Sequence, residues 1–256
     1  MSLGQLTRLR KLRLDGATGI TNQGIAHLGG LINLRELSIG AAEVDDVGVV
    51  ALAQFRHLET LTLSAGNIGT TGLTSIDALE HLRALQLYCP RPIGPNLAQL
   101  GNMVQLEELT LSSISGLQAE DLDFLSDLWN LRTLRITDSD LGDAVVAPIG
   151  KIQVLTEVSL RATKVGDAGA GHLSGLHGLQ TLDLSNTLVG AAGVQACLPL
   201  VNLEKLDLGH TAVDDTAVPH LQQFPKLERL VLFDTGVSRA GVKELRRALP
   251  NCQIDG

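Results

Sequence analysis

The sequence has few aromatic residues, few cysteines and no long apolar run. Of its 256 residues 44% are hydrophobic but only 2% are aromatic, so aliphatic side chains must fill the core. The three cysteines lack the close, even spacing of a disulfide framework, and we expect a reducing compartment. That compartment is the cytoplasm of the producing cell or, for a secreted effector, of a host. Without a stretch of about 18 apolar residues, no membrane-spanning helix and no membrane partner is predicted.

Charge and motif content exclude several functions. Twenty basic residues stand against 28 acidic ones, a formal net charge of −8, whereas proteins that bind nucleic acid present a basic surface. The motifs HExxH, CxxC and GxSxG and a glycine-rich phosphate loop are absent. We therefore predict a protein that is not an enzyme, needs no cofactor or metal and binds no nucleic acid. We also expect a monomer.

What the sequence does contain is a repeated phrase, LxxLxL, whose first leucines recur at intervals of 24 or 25 residues. The ten starts are Leu9, Leu34, Leu58, Leu82, Leu106, Leu131, Leu155, Leu179, Leu203 and Leu227. All thirty apolar positions of these phrases are aliphatic, and 27 of them are leucine. The alternation of apolar and polar residues predicts a strand with one buried face.

The remainder of each repeat predicts a turn and a short helix. In the seventh repeat Thr163 is followed by V-x-D-x-G and then by leucines at three-residue spacing. Asp167 of that motif is expected to cap its own helix, accepting from free N–H groups of the first turn. The same position holds Asn22, Asp46, Asp143 and Asp215. Because each helix returns the chain to a new strand, we expect parallel strands, stacked repeats and one continuous core.

Two rows of equivalent residues are expected to have structural roles. The threonines at the position of Thr163 are predicted to bond to backbone groups of the turn. They are Thr163, Thr187, Thr211 and Thr235. His57 and His81 occupy one loop position in adjacent repeats and are predicted to stack.

These phrases resemble the leucine-rich repeat superfamily over essentially the whole chain. The T-x-V-x-D-x-G-V spelling is similar to the short repeats of cytosolic proteins, including GALA-type effectors and F-box-linked repeat proteins, although no F-box is present. The resemblance implies an α/β solenoid, a right-handed horseshoe with a parallel sheet on the concave face and short helices on the convex face. It also implies protein binding, and it transfers no catalytic residue. We expect one domain over residues 1–256, with about ten repeats and a partial repeat at each end.

The two partial repeats are expected to differ. Leu3 and Leu6 match the helical leucines of a preceding repeat. The chain is therefore either cropped or begins with a partial helix that caps the sheet. At the other end, Ile254 is in register for an eleventh strand.

Partner-binding residues are expected at the polar positions of the phrase. Counting from its first leucine, slots three, five, seven and eight point away from the core. Strands about 4.8 Å apart carry such a surface over roughly 50 Å, which suits a protein or peptide better than a metabolite. The candidates for partner binding are Tyr88, Arg135, Arg161, Asp183, Asp207, His210, Phe233 and Asp234.

Two groups of candidates each have a second interpretation. Tyr88, followed by CPRPIGPN, is an interface anchor, or else it belongs to a degenerate repeat whose prolines prevent a normal helix start. Arg135 and Arg161 bind carboxylates of a partner, or Arg161 pairs with Asp183 on the next strand.

The C-terminal candidates form a third group. Asp183 and Asp207 share slot five of adjacent repeats, so their carboxylates are expected to approach and to raise one pKa. With His210, Phe233 and Asp234 they are interpreted as an acidic recognition patch. A weak cation site and a catalytic pair are the alternatives, although an open sheet offers a catalytic pair little enclosure.

The sequence thus predicts a non-enzymatic scaffold for protein–protein interaction. The alternative is the substrate-targeting domain of a larger effector, enzyme or ubiquitin-ligase-type protein. A purely structural spacer would have the same repeats.

Overall fold

Short strands alternate with short helices in the residues that the computed structural model describes, 3–16 and 19–256. These residues divide into two units. The first comprises the described residues up to Leu117 together with Asp121–Leu131, and the second comprises Gln118–Glu120 and Arg132–Gly256. Both units are built from the same strand-and-helix repeat.

In the described residues of the first unit, five strands pair in parallel and in chain order. They are β1 (Lys11–Leu14), β2 (Glu36–Asp45), β3 (Thr60–Asn67), β4 (Ala84–Tyr88) and β5 (Glu108–Ser112). The α-helices are α1 (Asn22–Ala26), α2 (Asp46–Val50) and α3 (Thr70–Asp77). The 3-10 helices are Leu3–Gln5, Ala51–Gln54 and Gly94–Asn102. Equivalent leucines are neighbours in the sheet, as Leu37 is beside Leu61.

The second unit has six strands, which also pair in parallel and in chain order. They are β6 (Thr133–Thr137), β7 (Glu157–Ser159), β8 (Thr181–Asp183), β9 (Lys205–Asp207), β10 (Arg229–Val231) and β11 (Gln253–Asp255). The α-helices are α4 (Asp143–Val146), α5 (Asp167–His172), α6 (Ala191–Ala196), α7 (Val218–Leu221) and α8 (Arg239–Ala248). The 3-10 helices are Ile149–Lys151, Leu173–Gly175 and Asp215–Ala217.

The predicted α/β architecture is confirmed in each unit. Equivalent residues of parallel strands are paired, apart from a register shift between Ala41 and Asp45 in β2, and short helices connect the strands. The predicted eleventh strand is also present, with Ile254 beside Leu230. That all repeats make a single domain stays a prediction.

Aliphatic side chains fill the interior of both units, as the shortage of rings requires. Many inward leucines of the phrases, such as Leu61, Leu109 and Leu182, have no exposed surface, whereas Leu9 and Leu14 of the first phrase are half-buried. Each buried leucine contributes about 1.5–3 kcal/mol to folding. Phe55 and Phe224 are the largest fully buried side chains of the described residues.

The fourth repeat has a 3-10 helix with a proline at its start. Pro95 stands in the first turn of Gly94–Asn102, which is a 3-10 helix rather than an α-helix. The ring fixes φ and removes a backbone donor, so it suits the start of a helix but not its interior. A 3-10 helix of the same length covers Ala119–Asp127 in the fifth repeat, which contains no proline. That the prolines prevent a normal helix start in the fourth repeat therefore stays a prediction.

The threonine row satisfies backbone carbonyls in the turns, as predicted. Each hydroxyl donates to the carbonyl three residues earlier in its own repeat. Thr187 Oγ1, for example, lies 2.6 Å from the carbonyl oxygen of Leu184, and both groups are buried. The bond ties each turn to the end of the strand before it.

The prediction that the aspartate of V-x-D-x-G caps its own helix is wrong. Asp167 is the first residue of α5, and the N-cap of that helix is Gly166. Its Oδ1 instead accepts from the N–H groups of Gly190 (2.7 Å) and Gly193 (2.8 Å), at the start of the following helix α6. Because the repeats stack in register, each such side chain reaches the next helix N-terminus more readily than its own.

The same bond recurs at the other positions of the row. Asn22 Oδ1 accepts from Asp45, Asp46 from Gly69, Asp143 from Gly166 and Asp215 from Ser238, in each case the N–H of the next repeat. The glycine of V-x-D-x-G makes room for it. A Cβ at Gly193 would lie 2.7 Å from Asp167 Oδ1, and one at Gly169 would lie 2.6 Å from Asp143 Oδ1. The aspartate and the glycine of V-x-D-x-G are therefore explained by the contact between adjacent repeats.

Candidate partner-binding site

Backbone bonds between repeats position the outward side chains of the second unit. The strand-like pairing extends past β7, because the N–H groups of Leu160 and Ala162 donate to the carbonyls of Asp183 and Ser185. Arg161 lies between these two bonds and is directed outward. The same pattern holds Ser185 and Gly209 in the next two repeats. Slots three to seven therefore form straight rows of side chains.

The face of the second unit contains a shallow groove of about 440 Å³. Four of the predicted residues line it: Arg135, Arg161, Asp183 and Asp207. The remaining lining residues are Thr137, Glu157, Ser159, Thr181, Leu182, Lys205, Leu206, Arg229 and Val231. Below, "the groove" means this set of residues. Its outward charges are four cations and three carboxylates, so the surroundings of Asp183 and Asp207 are mixed in charge rather than an acidic patch.

Three charged residues of the groove, together with Thr181, come from a row that we did not single out from the sequence. Glu157, Lys205 and Arg229 occupy slot three, at the beginning of β7, β9 and β10. The alternation of the phrase already places slot three on the same face as slots five and seven. That signal places them on the outer face, but it does not show that they line one groove.

Asp183 and Asp207 are paired in the register of β8 and β9. The oxygens of Asp183 accept from the Ser159 hydroxyl (2.9 Å) and from the N–H and hydroxyl of Ser185 (2.9 and 2.6 Å). Asp207 Oδ1 accepts from the N–H of Gly209 at 2.9 Å. Asp183 is therefore held by three donors, whereas Asp207 has a single backbone donor.

The environment shifts the pKa of Asp207 upward. Burial is the largest cause, and the negative charge of Asp183 adds to the rise. The Gly209 N–H and the charges of Arg229 and Arg161 act in the opposite direction. The predicted rise of one pKa in the pair is confirmed, although burial contributes more than the neighbouring carboxylate.

The arginines of the groove differ in their pairing. Arg135 Nη2 lies 2.5 Å from Glu157 Oε1, and Arg229 Nη2 lies 3.1 Å from Asp255 Oδ2. The prediction that Arg161 pairs with Asp183 is wrong: in the described part of the chain no carboxylate oxygen lies within 4.0 Å of its guanidinium. Asp183 accepts instead from the serine groups of its own and the preceding repeat.

His210, Phe233 and Asp234 do not line the groove. They follow β9 and β10, where His210 Nδ1 lies 3.2 Å from Asp234 Oδ2 and Phe233 is 56% exposed. His210 (φ 58°) and Asp234 (φ 51°) have the left-handed backbone conformation, which histidine and aspartate tolerate better than most residues. The backbone conformation therefore favours histidine and aspartate at these two positions, although Ser113 and Ala162 have the same conformation in other repeats.

Tyr88 lies at the end of β4 in the first unit, with 46% of its surface exposed. Its neighbours in register are Ser64 and Ser112. A separate groove of about 290 Å³ in this unit is lined by Asp15, Ser38, Thr62, Gln86 and five other residues, but not by Tyr88. Tyr88 is therefore the one candidate of the eight that lies in the first unit, and it lines neither groove.

In residues 3–16 and 19–256, no three or more histidine, cysteine, aspartate or glutamate side chains are grouped so that they could hold a metal ion. Over the same residues, no helix combines the length and the apolar composition that crossing a bilayer requires.

Parallel strands repeated every 24 or 25 residues, with leucines inward and a polar outer face, define a leucine-rich repeat protein. The chain belongs to the leucine-rich repeat family: the family model described as "Leucine-rich repeat region" matches residues 1–252. No curated protein matches the chain in sequence.

Two solved structures are similar to this chain. Internalin C2 of Listeria monocytogenes aligns over 84% of each chain with 20% identity and a TM-score of 0.59, a likeness of fold alone. An internalin, InlF, of the same species covers 98% of this chain and 87% of its own, with 15% identity and a TM-score of 0.46.

Proposed function

We propose that the chain is a non-enzymatic binding protein and that the groove of the second unit holds a protein or peptide partner. The observation that carries this proposal is the row structure of the groove. Its polar side chains come from adjacent strands whose register is set by backbone bonds. A surface ordered before binding limits the entropy cost of association.

The bonding of Asp183 supports a binding role over a catalytic one. Its oxygens already accept from Ser159 and Ser185. A metal ion or a catalytic proton transfer at the pair would compete with these three donors. The groove is also a shallow surface, and catalysis by a carboxylate pair depends on excluding water.

We further propose a cytoplasmic, reducing location and a monomeric chain. The location is supported by the three free cysteines. Burial raises the pKa of Cys89 to about 11, and burial together with the charge of Asp167 raises that of Cys197 to about 12, so both thiols stay protonated and unreactive. Recovery of the protein from an oxidising compartment on cell fractionation would contradict this location.

The proposed function is tested by filling the groove. Thr181→Trp places a large ring in slot three of β8, within the groove. Thr71→Trp is the matched control on the exposed face of α3. The intact chain is used to select peptides from a random display library. We expect at least about a tenfold loss of affinity, or 1.4 kcal/mol, with Thr181→Trp and no change with Thr71→Trp. Equal binding by both variants would place the partner elsewhere.

A further inference from the structure

The charged groups of the groove fall into those that are satisfied within the chain and those that are not. Arg135 pairs with Glu157, and Arg229 pairs with Asp255. Asp183 accepts three hydrogen bonds from serine groups. These pairs leave the groove little net attraction for an ion of either sign.

Asp207 has only one backbone donor, and among the cations Arg161 and Lys205 are the exceptions. Both are exposed, and within residues 3–16 and 19–256 neither has a carboxylate oxygen within 4.0 Å. A guanidinium has five N–H donors and an ammonium has three. The unmet bonding capacity of the groove therefore lies mainly with its cations.

We propose that the groove binds an acidic segment of a protein partner, with one carboxylate bound by Arg161 and a second by Lys205. This inference rests on the proposed function, because it names the chemistry of the partner at the same site. A basic segment bound by Asp183 and Asp207 is the opposing interpretation. It is disfavoured because three donors already occupy most of the accepting capacity of Asp183, which leaves mainly Asp207 to bind a basic side chain.

The positions of the two cations set the spacing of the carboxylates. Lys205 begins β9, and Arg161 follows the end of β7 by two residues, in slot seven. Two strand intervals of about 4.8 Å and four residues of about 3.3 Å separate their Cα atoms by roughly 16 Å. An extended segment covers that distance in about five residues. Side chains of an extended segment alternate between opposite faces, so only an even spacing directs two of them into the groove. We therefore expect acidic residues about four or six positions apart.

Asp207 restricts which segments bind. It lies in the groove beside Asp183, and the positive charges of Arg161 and Arg229 favour its ionised form. A carboxylate that binds Arg161 shares that positive charge and is repelled by Asp207. Asp207→Asn is therefore expected to increase the affinity for an acidic segment by severalfold while leaving its spacing requirement unchanged.

The test uses peptides selected on the intact chain from a random display library and retained only if Thr181→Trp weakens their binding. We expect these peptides to be enriched in pairs of acidic residues about four or six positions apart. Titration calorimetry measures the affinity of these peptides. It should fall at least about tenfold for the double variant Arg161→Glu, Lys205→Glu. Peptides in which lysine replaces both acidic residues should regain affinity for that double variant. Arg161→Gln with Lys205→Gln should give a smaller loss in the same direction.

The matched control is Arg239→Glu with Lys243→Glu, which makes the same change of charge on the exposed side of α8. It should leave affinity unchanged. Groove-dependent peptides that are basic or neutral, or that bind the double charge reversal as well as the original chain, would overturn the acidic-segment proposal and leave the proposed function intact. Failure to obtain any groove-dependent peptide would instead overturn the proposed function, and the acidic-segment proposal with it.

Discussion

Asp183 and Asp207 stand side by side at slot five of adjacent strands, yet they are bonded very differently. Three donors hold Asp183, and one backbone N–H reaches Asp207. The pKa of Asp207 is raised, first by burial and then by the charge of Asp183. The two carboxylates occupy the same slot of the repeat but have different roles. Asp183 belongs to a hydrogen-bonded cluster, whereas the partly buried charge of Asp207 destabilises the fold.

Asp207→Asn is expected to stabilise the fold at neutral pH. A carboxyl whose pKa is raised by folding binds protons more tightly in the folded chain, so its ionised form destabilises the fold above that pKa. Asparagine removes the charge and still accepts from Gly209. Thermal unfolding should show a higher Tm for the variant at pH 7, and the gain should shrink as pH falls and disappear below about pH 4, where the carboxyl is neutral in both states. A gain that is constant with pH would contradict this account.

Asp167→Ala is expected to weaken the repeat that follows it. The change removes the acceptor for the N–H groups of Gly190 and Gly193, and bonds to a charged group contribute about 1.5–3 kcal/mol. Urea unfolding should show a loss of that order. Hydrogen exchange should accelerate at the Gly190 and Gly193 amides.

The control for that prediction is Asp140→Ala, which breaks only the exposed pair with Lys164 and should cost less than about 1 kcal/mol. Faster exchange confined to α5, the helix that Asp167 itself begins, would mean that the aspartate caps its own repeat after all.

Substitution of His210 should separate a conformational role from a recognition role. Its φ of 58° suits asparagine but not a β-branched residue, for which a left-handed conformation costs about 1–2 kcal/mol. Urea unfolding should show that loss for His210→Val and almost none for His210→Asn. If both variants keep the original stability, the residue type at slot eight is not set by the backbone.

His210→Asn also tests the partner. Since His210 lies outside the groove, the variant should bind selected groove-dependent peptides as well as the original chain does. Weaker binding would extend the site toward the turns after β9 and β10.

Much of the fold could be predicted because every repeat carries the same information. The register of the strands, the burial of the leucines and the strand at Ile254 follow from the spacing of LxxLxL. The predicted stacking of His57 on His81 is found as well, with rings 6.1 Å apart and 7° from parallel. Because the repeats stack in register, residues at the same position of adjacent repeats are neighbours in space.

The candidate site was only partly predictable. The alternation of the phrase placed Arg135, Arg161, Asp183 and Asp207 on the outer face, and the groove includes all four. The same alternation did not reveal that Lys205 belongs with them in one groove, or that Phe233 does not. Both facts depend on the volumes of the side chains and on the shape of the surface that several repeats form together.

The sequence by itself determined that aliphatic residues at a 24-residue period form rows of strands with polar residues outward, because that arrangement buries the leucines of all the phrases after the first. Tertiary structure alone decided which polar groups are satisfied. Asp167 serves the next helix, Asp183 binds serines rather than Arg161, and Arg161 and Lys205 keep their donors free within the described chain. The physical reason is that a hydrogen bond forms or fails on differences of a few tenths of an ångström in the donor–acceptor distance. Periodicity does not specify the distances between side chains of different repeats that closely.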